Sequence, residues 1–230
     1  MSDLDTLDTP HRPWRVLGCR GCGSAIVEAA LVLAKIPYER EEVDYETPEG
    51  HDKLSEHNPL AQVPTVILPD GTVMTESAAL ILYIDGLVPD LGLVPAVRDP
   101  LRREHLRWLM FLVAAVYPTF TYGDEPNKWV GEAGDSLRQS TDEHRKSLWR
   151  LVEGAVRGPW FLGETPSALD LYVSVMTRWR PRRGWFAEHC PRLFKIATAV
   201  DADARLKGVW ATNFSTELPG LQSASSPSSH

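Results

Sequence analysis

Asn58-Pro59-Leu60-Ala61-Gln62-Val63-Pro64-Thr65-Val66-Ile67-Leu68-Pro69-Asp70-Gly71-Thr72-Val73-Met74-Thr75-Glu76-Ser77 is the stretch that decides how this chain folds. Pro-Asp-Gly sits between two short β-branched runs, and Asp and Gly accept the dihedrals of a tight turn that other residues resist. Residues 65–68 and 72–74 are therefore predicted to pair antiparallel. A proline leading into a strand cannot donate to a ladder, and X-Pro is the one common place for a cis peptide. A cis Val63-Pro64 bond turns the backbone groups of Val63 outward, where an extended peptide ligand can pair with them. Glu76-Ser77 then heads a helix over residues 77–87, whose first N–H groups and partial positive charge suit a carboxylate.

Outward from this segment, residues 14–18 read as a strand, 24–34 as an apolar helix and 38–45 as a second strand after Pro37. A βαβ unit followed by ββα is the order of an α/β thioredoxin-like domain, expected over residues 14–88. Pro89, Gly92 and Pro95 mark 89–98 as a linker. Residues 99–214 lack strand signals, and Leu101, His105, Trp108, Leu109, Leu112 and Val116 recur at helical spacing, as do Leu148, Leu151, Val152 and Ala155. An all-α domain is expected there. Ser167 and Asp170 stand three apart before an apolar run, a capping-box pattern. Residues 1–13 read as a loose polar arm and 215–230 as a tail with the composition of disorder.

The stretch from Val63 to Ser77 resembles the glutathione-binding half of the cytosolic glutathione transferases, bacterial type, and the similarity extends over roughly residues 14–212. The resemblance implies a glutathione transferase fold, with glutathione as co-substrate. Val63, the residue before the cis-proline Pro64, would hold the cysteinyl backbone of glutathione. Glu76 and Ser77 would hold its γ-glutamyl group, with Gln62 a neighbour. It further implies that Ser167 and Asp170 serve folding rather than catalysis, and that the chain works as a homodimer.

Composition sets the outer bounds. A 230-residue chain with 43% hydrophobic residues can build a sizeable core. No run of eighteen apolar residues and no leader pattern is present, so a soluble cytoplasmic protein with no membrane partner is expected. The net charge of −7 disfavours nucleic acid. Three cysteines do not make a disulfide framework, and Cys190 reads as a buried filler. Arg178, Arg180, Arg182 and Arg183, with Trp179 and Trp185, read either as an anion-binding group or, more commonly, as a solvated helix end.

The reactive group of a thioredoxin-like domain lies where the first strand gives way to the first helix, here Gly18-Cys19-Arg20-Gly21-Cys22-Gly23-Ser24. A helix N-terminus lowers the pKa of a thiol placed there. Cys19 and Cys22 form a C-x-x-C, and two readings compete: in the beta and omega types of transferase a cysteine meets the glutathione sulfur, whereas theta, zeta and nu types use a Ser or Thr; in glutaredoxins and thioredoxins a C-x-x-C, commonly with a proline that is missing here, cycles between dithiol and disulfide. Val27-Glu28-Ala29-Ala30-Leu31 aligns with the family's helix motif and puts the reactive position within residues 21–23, where Cys22 is the side-chain nucleophile. Cys22 and Ser24 are thus the catalytic candidates, with a backbone donor left open, and Cys19 is read as a strand-end residue pointing elsewhere. Trp108, Tyr117 and Tyr122, with Phe111 and Phe120, are candidate walls for a small hydrophobic electrophile, and no metal is expected. Two rival readings stay open: a glutathione-dependent thiol-disulfide reductase or lyase using Cys22, and a non-catalytic binding protein of the same fold.

Overall fold

The computed structural model describes residues 12–214. Residues 1–11 of the expected arm and the expected tail at 215–230 lie outside the described residues. The first half runs β1 (Trp14–Gly18), α1 (Ser24–Ala34), β2 (Tyr38–Glu42), α2 (Pro48–Ser55), β3 (Thr65–Ile67), β4 (Val73–Met74) and α3 (Ser77–Leu87). The bounds of β1, α1 and α3 match those expected, while β2 stops at Glu42, short of Tyr45. Helix α2 was not foreseen. Thr47 Oγ1 caps it by accepting the Gly50 N–H at 3.1 Å, and Pro48 takes its first turn. Its buried residues are only Gly50 and Leu54, too few to show as an apolar stripe.

The sheet order is β2-β1-β3-β4, with β1 and β2 parallel and the other pairs antiparallel. This register positions the site. Leu17 pairs with Thr65, so the C-terminal end of β1 lies beside the start of β3 and the Val63-Pro64 bond just before it. Strand β4 runs with β1 and hands the chain to α3 at that same end. The heads of α1 and α3 and the residues around Val63 therefore share one edge of the sheet.

The second half comprises α4 (Arg102–Phe111), a π-helical turn (Leu112–Val116), α5 (Tyr117–Asp124), α6 (Asn127–Val130), α7 (Gly134–Ala155), α8 (Ala168–Met176), α9 (Arg182–His189), α10 (Pro191–Asp201) and α11 (Lys207–Phe214). Pro118 has no N–H to donate to the preceding turn, and the widened π turn takes up that loss. Asp170 accepts the Ser167 N–H at 2.7 Å and the Phe161 N–H at 2.8 Å, closing the expected capping box at the head of α8. Helix α8 is buried along its whole length and packs against α1 and α10. A continuous apolar core thus runs from Val16 and Ile26 through Tyr172 to Trp149. The 89–98 segment is pinned to both halves: Asp85 accepts the Val94 N–H at 3.0 Å, and the Leu93 carbonyl accepts the Ala168 N–H at 2.8 Å. Among the described residues no helix is long and apolar enough to cross a membrane.

Candidate active site

The Val63-Pro64 bond is cis, as expected. The loop before β3 is held from behind by a polar bracket. Asn58 Nδ2 and Thr65 Oγ1 donate to the Gln62 carbonyl at 3.2 and 2.8 Å, and Asn58 Nδ2 also reaches Thr65 Oγ1 at 3.3 Å. With its neighbours engaged, Val63 is left over: among the described residues no group of the chain takes its N–H or C=O. A half-buried donor and acceptor on one residue is the arrangement by which an extended peptide is paired. The Gln62 side chain stands at the surface beside it.

Glu76 adopts φ 63°, ψ 105°, a region that non-glycine residues avoid, and its carbonyl accepts the Leu80 N–H at 3.0 Å as α3 begins. Such backbone strain persists where the surrounding structure over-determines it, often at ligand clamps. The effect here is to leave the Glu76 carboxylate exposed at the helix head, next to the half-buried Ser77. Tyr172 on α8 donates to Ser77 Oγ at 2.7 Å.

The turn between β1 and α1 corrects the expectation for Cys19. Rather than pointing elsewhere, Cys19 forms a disulfide with Cys22, with Cα atoms 5.5 Å apart. Ser24 is turned inward: it is fully buried and its Oγ donates to the Cys19 carbonyl at 3.3 Å, because Gly18, lacking a Cβ, leaves room for it. Its hydroxyl braces the turn. The Gly23 and Ser24 N–H groups at the head of α1 have no partner within the described residues.

Two aromatic residues of the helical half close on this turn. Trp179 Nε1 donates to the Gly21 carbonyl at 2.6 Å, across 158 positions. Tyr117 places its hydroxyl against Gly23 so closely that a Cβ there would overlap it. Tyr117, Phe120 and Trp179 pack edge-to-face with ring centroids 5.1 to 6.3 Å apart. Burial raises the pKa of the Tyr117 hydroxyl well above the usual phenol value, reinforced by Tyr172, Tyr45 and Glu76 within electrostatic range.

The other expected wall residues stand apart from this group. Trp108 is buried in the core against Phe111 and Phe161, with centroids 5.2 and 5.7 Å away. Tyr122 is 44% exposed and packs edge-on against Trp129. The arginine group serves structure: Arg178 and Arg183 pair with Asp201, Arg180 pairs with Asp124, and the Arg178 guanidinium lies 4.3 Å from the Phe214 ring. Cys190 is buried, and burial pushes its thiol up to about 12. Tyr172 is the residue at this edge that the sequence did not reveal, and Trp179, singled out there beside the arginines, meets the first turn instead. Trp179 reaches Gly21 across 158 positions and Tyr172 reaches Ser77 across 95, separations that no local pattern conveys.

The profile of the glutathione S-transferase N-terminal domain matches residues 24–87. An uncharacterized GST-like protein of Escherichia coli strain K12 is 37% identical over 202 residues, which is 86% of this chain and 98% of that protein. A glutathione S-transferase of Xanthomonas campestris, GST-4.5, is 30% identical over 65% of this chain and 74% of its own. Among solved structures, a glutathione transferase from Methylococcus capsulatus superposes with a TM-score of 0.71 at 25% identity, covering 85% of this chain and 96% of its own. A Sulfitobacter transferase homolog with bound glutathione has the same fold, with a TM-score of 0.76 at 24% identity over 86% of this chain and 96% of its own.

Proposed function

The chain belongs to the glutathione S-transferase family, and on that premise we propose that it binds glutathione along the shared edge of the sheet and transfers it to a small apolar electrophile. Val63 pairs with the cysteinyl backbone, Ser77 and the free N–H groups of α3 take the γ-glutamyl carboxylate, and Glu76 takes its ammonium. The fit rests on what the edge offers: an unpaired peptide donor and acceptor at Val63, and an anion-binding helix head beside an exposed carboxylate. Gln62 lines the same edge.

Glutathione brings the thiol nucleophile, and the residues of this chain have to hold it as thiolate. Lowering the thiol pKa by about two units, worth roughly 2.7 kcal/mol, makes it mostly ionised at neutral pH. The observation that carries this role is the contact of Tyr117 Oη with Gly23 at the head of α1. Because burial holds the Tyr117 phenol protonated, it remains a donor across the working pH range. The Gly23 and Ser24 N–H groups and, in its reduced state, the Cys22 thiol act on the same sulfur. Ser24, engaged behind the turn, is left out of this role. Tyr117 and Trp179 present an apolar face beside the sulfur for the electrophile, whereas Trp108 belongs to the core and Tyr122 to the outer surface. We read the working form as a homodimer, with exposed Tyr83 and Leu87 of α3 available to an interface.

Steady-state conjugation of glutathione to an aryl halide tests the assignment. Tyr117→Phe is expected to lower kcat roughly 10- to 150-fold, the loss of a hydrogen bond to a charged group, and to move the pH-rate midpoint upward. Unchanged kcat and midpoint in Tyr117→Phe would remove it from the chemistry.

A further inference from the structure

The transfer reaction needs one group at the sulfur, yet the turn carries two cysteines already bonded to each other. The turn is built to keep them in register. The Arg20 N–H donates to Glu42 Oε1 at 2.9 Å, the Gly21 carbonyl is held by Trp179, and the Cys19 carbonyl accepts both the Ser24 hydroxyl and the Cys22 N–H at 3.3 Å. Gly21 turns the chain at φ 74°, where a side chain would be strained. A Cα separation of 5.5 Å is within the range a disulfide spans.

The two sulfurs are not equivalent. Cys22 is half-buried and lies one residue before Gly23, the N-cap of α1, whereas Cys19 is only 8% exposed at the end of β1. The positive end of a helix favours a thiolate, so Cys22 is the sulfur that an outside thiol or disulfide reaches, and Cys19 is placed to resolve the product. Cys190, buried away from this turn, takes no part.

We propose that Cys19 and Cys22 form a working dithiol–disulfide couple, through which this protein reduces small organic disulfides with glutathione as the reductant. The inference rests on the glutathione site proposed above. In the reducing half, Cys22 Sγ accepts the glutathione sulfur as the Cys19–Cys22 bond breaks, and the thiol proton ends on Cys19. A second glutathione attacks the sulfur of the first, releasing oxidised glutathione and leaving Cys22 as thiol. In the oxidising half, Cys22 thiolate attacks the organic disulfide and expels one thiol. Cys19 then displaces the second and restores the bond. The sum is two glutathione molecules and one organic disulfide giving oxidised glutathione and two thiols.

The experiment uses the full chain with bis(2-hydroxyethyl) disulfide and glutathione, following oxidised glutathione through a coupled reductase, alongside intact mass after glutathione treatment. Wild type is expected to turn over and to lose its disulfide to glutathione. Cys19→Ser, with Cys19→Ala as a second variant, is expected to lose most of the reductase activity, because only the slower attack of a second glutathione then clears Cys22; to take up one glutathionyl group on Cys22 from oxidised glutathione, with release of one glutathione thiol; and to keep conjugation of an aryl halide. Cys22→Ser is expected to lose both the activity and the adduct. Reductase activity in Cys19→Ser equal to wild type, or an adduct persisting in Cys22→Ser, would overturn the couple. If wild type conjugates the aryl halide but leaves its disulfide intact in glutathione, this inference fails and the transferase reading stands. If wild type binds no glutathione, both fall.

Discussion

Tyr172 Oη donates to Ser77 Oγ at 2.7 Å, joining side chains 95 positions apart and tying the helical half to the head of α3. A hydroxyl has one hydrogen to give, and Ser77, accepting from Tyr172, keeps its own free for a ligand carboxylate. Ser77 acts on a part of glutathione far from the reacting sulfur, alike in ground and transition states. Ser77→Ala is therefore expected to raise KM for glutathione by roughly 10- to 150-fold with kcat nearly unchanged. Tyr172→Phe keeps the Ser77 donor but loosens it, and the expected rise in KM is only about 2- to 10-fold, measured in the same assay.

The backbone of Glu76 separates affinity from stability. At φ 63° a glycine is at ease where glutamate is not. Glu76→Gly is expected to raise the denaturation midpoint, by about 0.5–1 kcal/mol of stability, while weakening glutathione binding through loss of the ammonium partner. A fall in both quantities would mean that the Glu76 conformation is not strained.

Gly23 and Tyr117 are coupled by contact. Gly23→Ala is expected to destabilise by about 1–3 kcal/mol as the new methyl meets the phenol oxygen. Tyr117→Phe removes that oxygen, so the double variant is expected to recover much of the loss. A thermal double-mutant cycle measures it, and strict additivity would deny the contact.

His105 sets an acid limit on the fold. It is fully buried on α4, neither ring nitrogen has a partner among the described residues, and burial, with Arg102 nearby, lowers its pKa to about 4. A histidine held neutral contributes stability that is present above its unfolded pKa and is lost as pH falls toward the folded value. Between pH 6.5 and 4 the loss reaches about 3 kcal/mol at most. Asp170, whose burial raises its carboxyl to about 6, opposes this trend over much of the same window, losing stability as pH rises. Only a difference isolates His105: the urea midpoint of wild type is expected to fall relative to that of His105→Leu as pH drops from 6.5 toward 4, and parallel curves would contradict the assignment.

The sequence disclosed what is local and withheld what depends on distant packing. Pro69-Asp70-Gly71, the apolar run from Ser24 and the Glu76-Ser77 pair each carry their own dihedral or capping signal, and β1, α1 and α3 begin and end where those signals place them. Helix α2 escaped because its Thr47-Pro48 start lacks an apolar stripe to follow. The inward turn of Ser24 depends on the empty space at Gly18, and the pairing of Cys19 depends on Trp179 and Glu42 bracing the turn. No spacing rule conveys the first, whereas the three-residue spacing of Cys19 and Cys22 is that of a dithiol motif and carried the alternative reading. Trp108 and Tyr117 stand in one continuous helical run, and only tertiary packing decides that one fills the core against Phe111 and Phe161 while the other packs on Trp179 and meets Gly23.

The central claim is that the head of α3 docks the γ-glutamyl group of glutathione, and calorimetric titration tests it most directly. Glutathione and its truncated form, cysteinylglycine, are titrated into wild type and Ser77→Ala. The expectation is that wild type binds glutathione roughly 10- to 150-fold more tightly than Ser77→Ala does, while both bind cysteinylglycine with the same weak affinity, because the lost interaction exists only with the γ-glutamyl group present. Equal glutathione affinity in the two proteins, or a Ser77→Ala loss of the same size for both ligands, would contradict the placement of glutathione at Ser77.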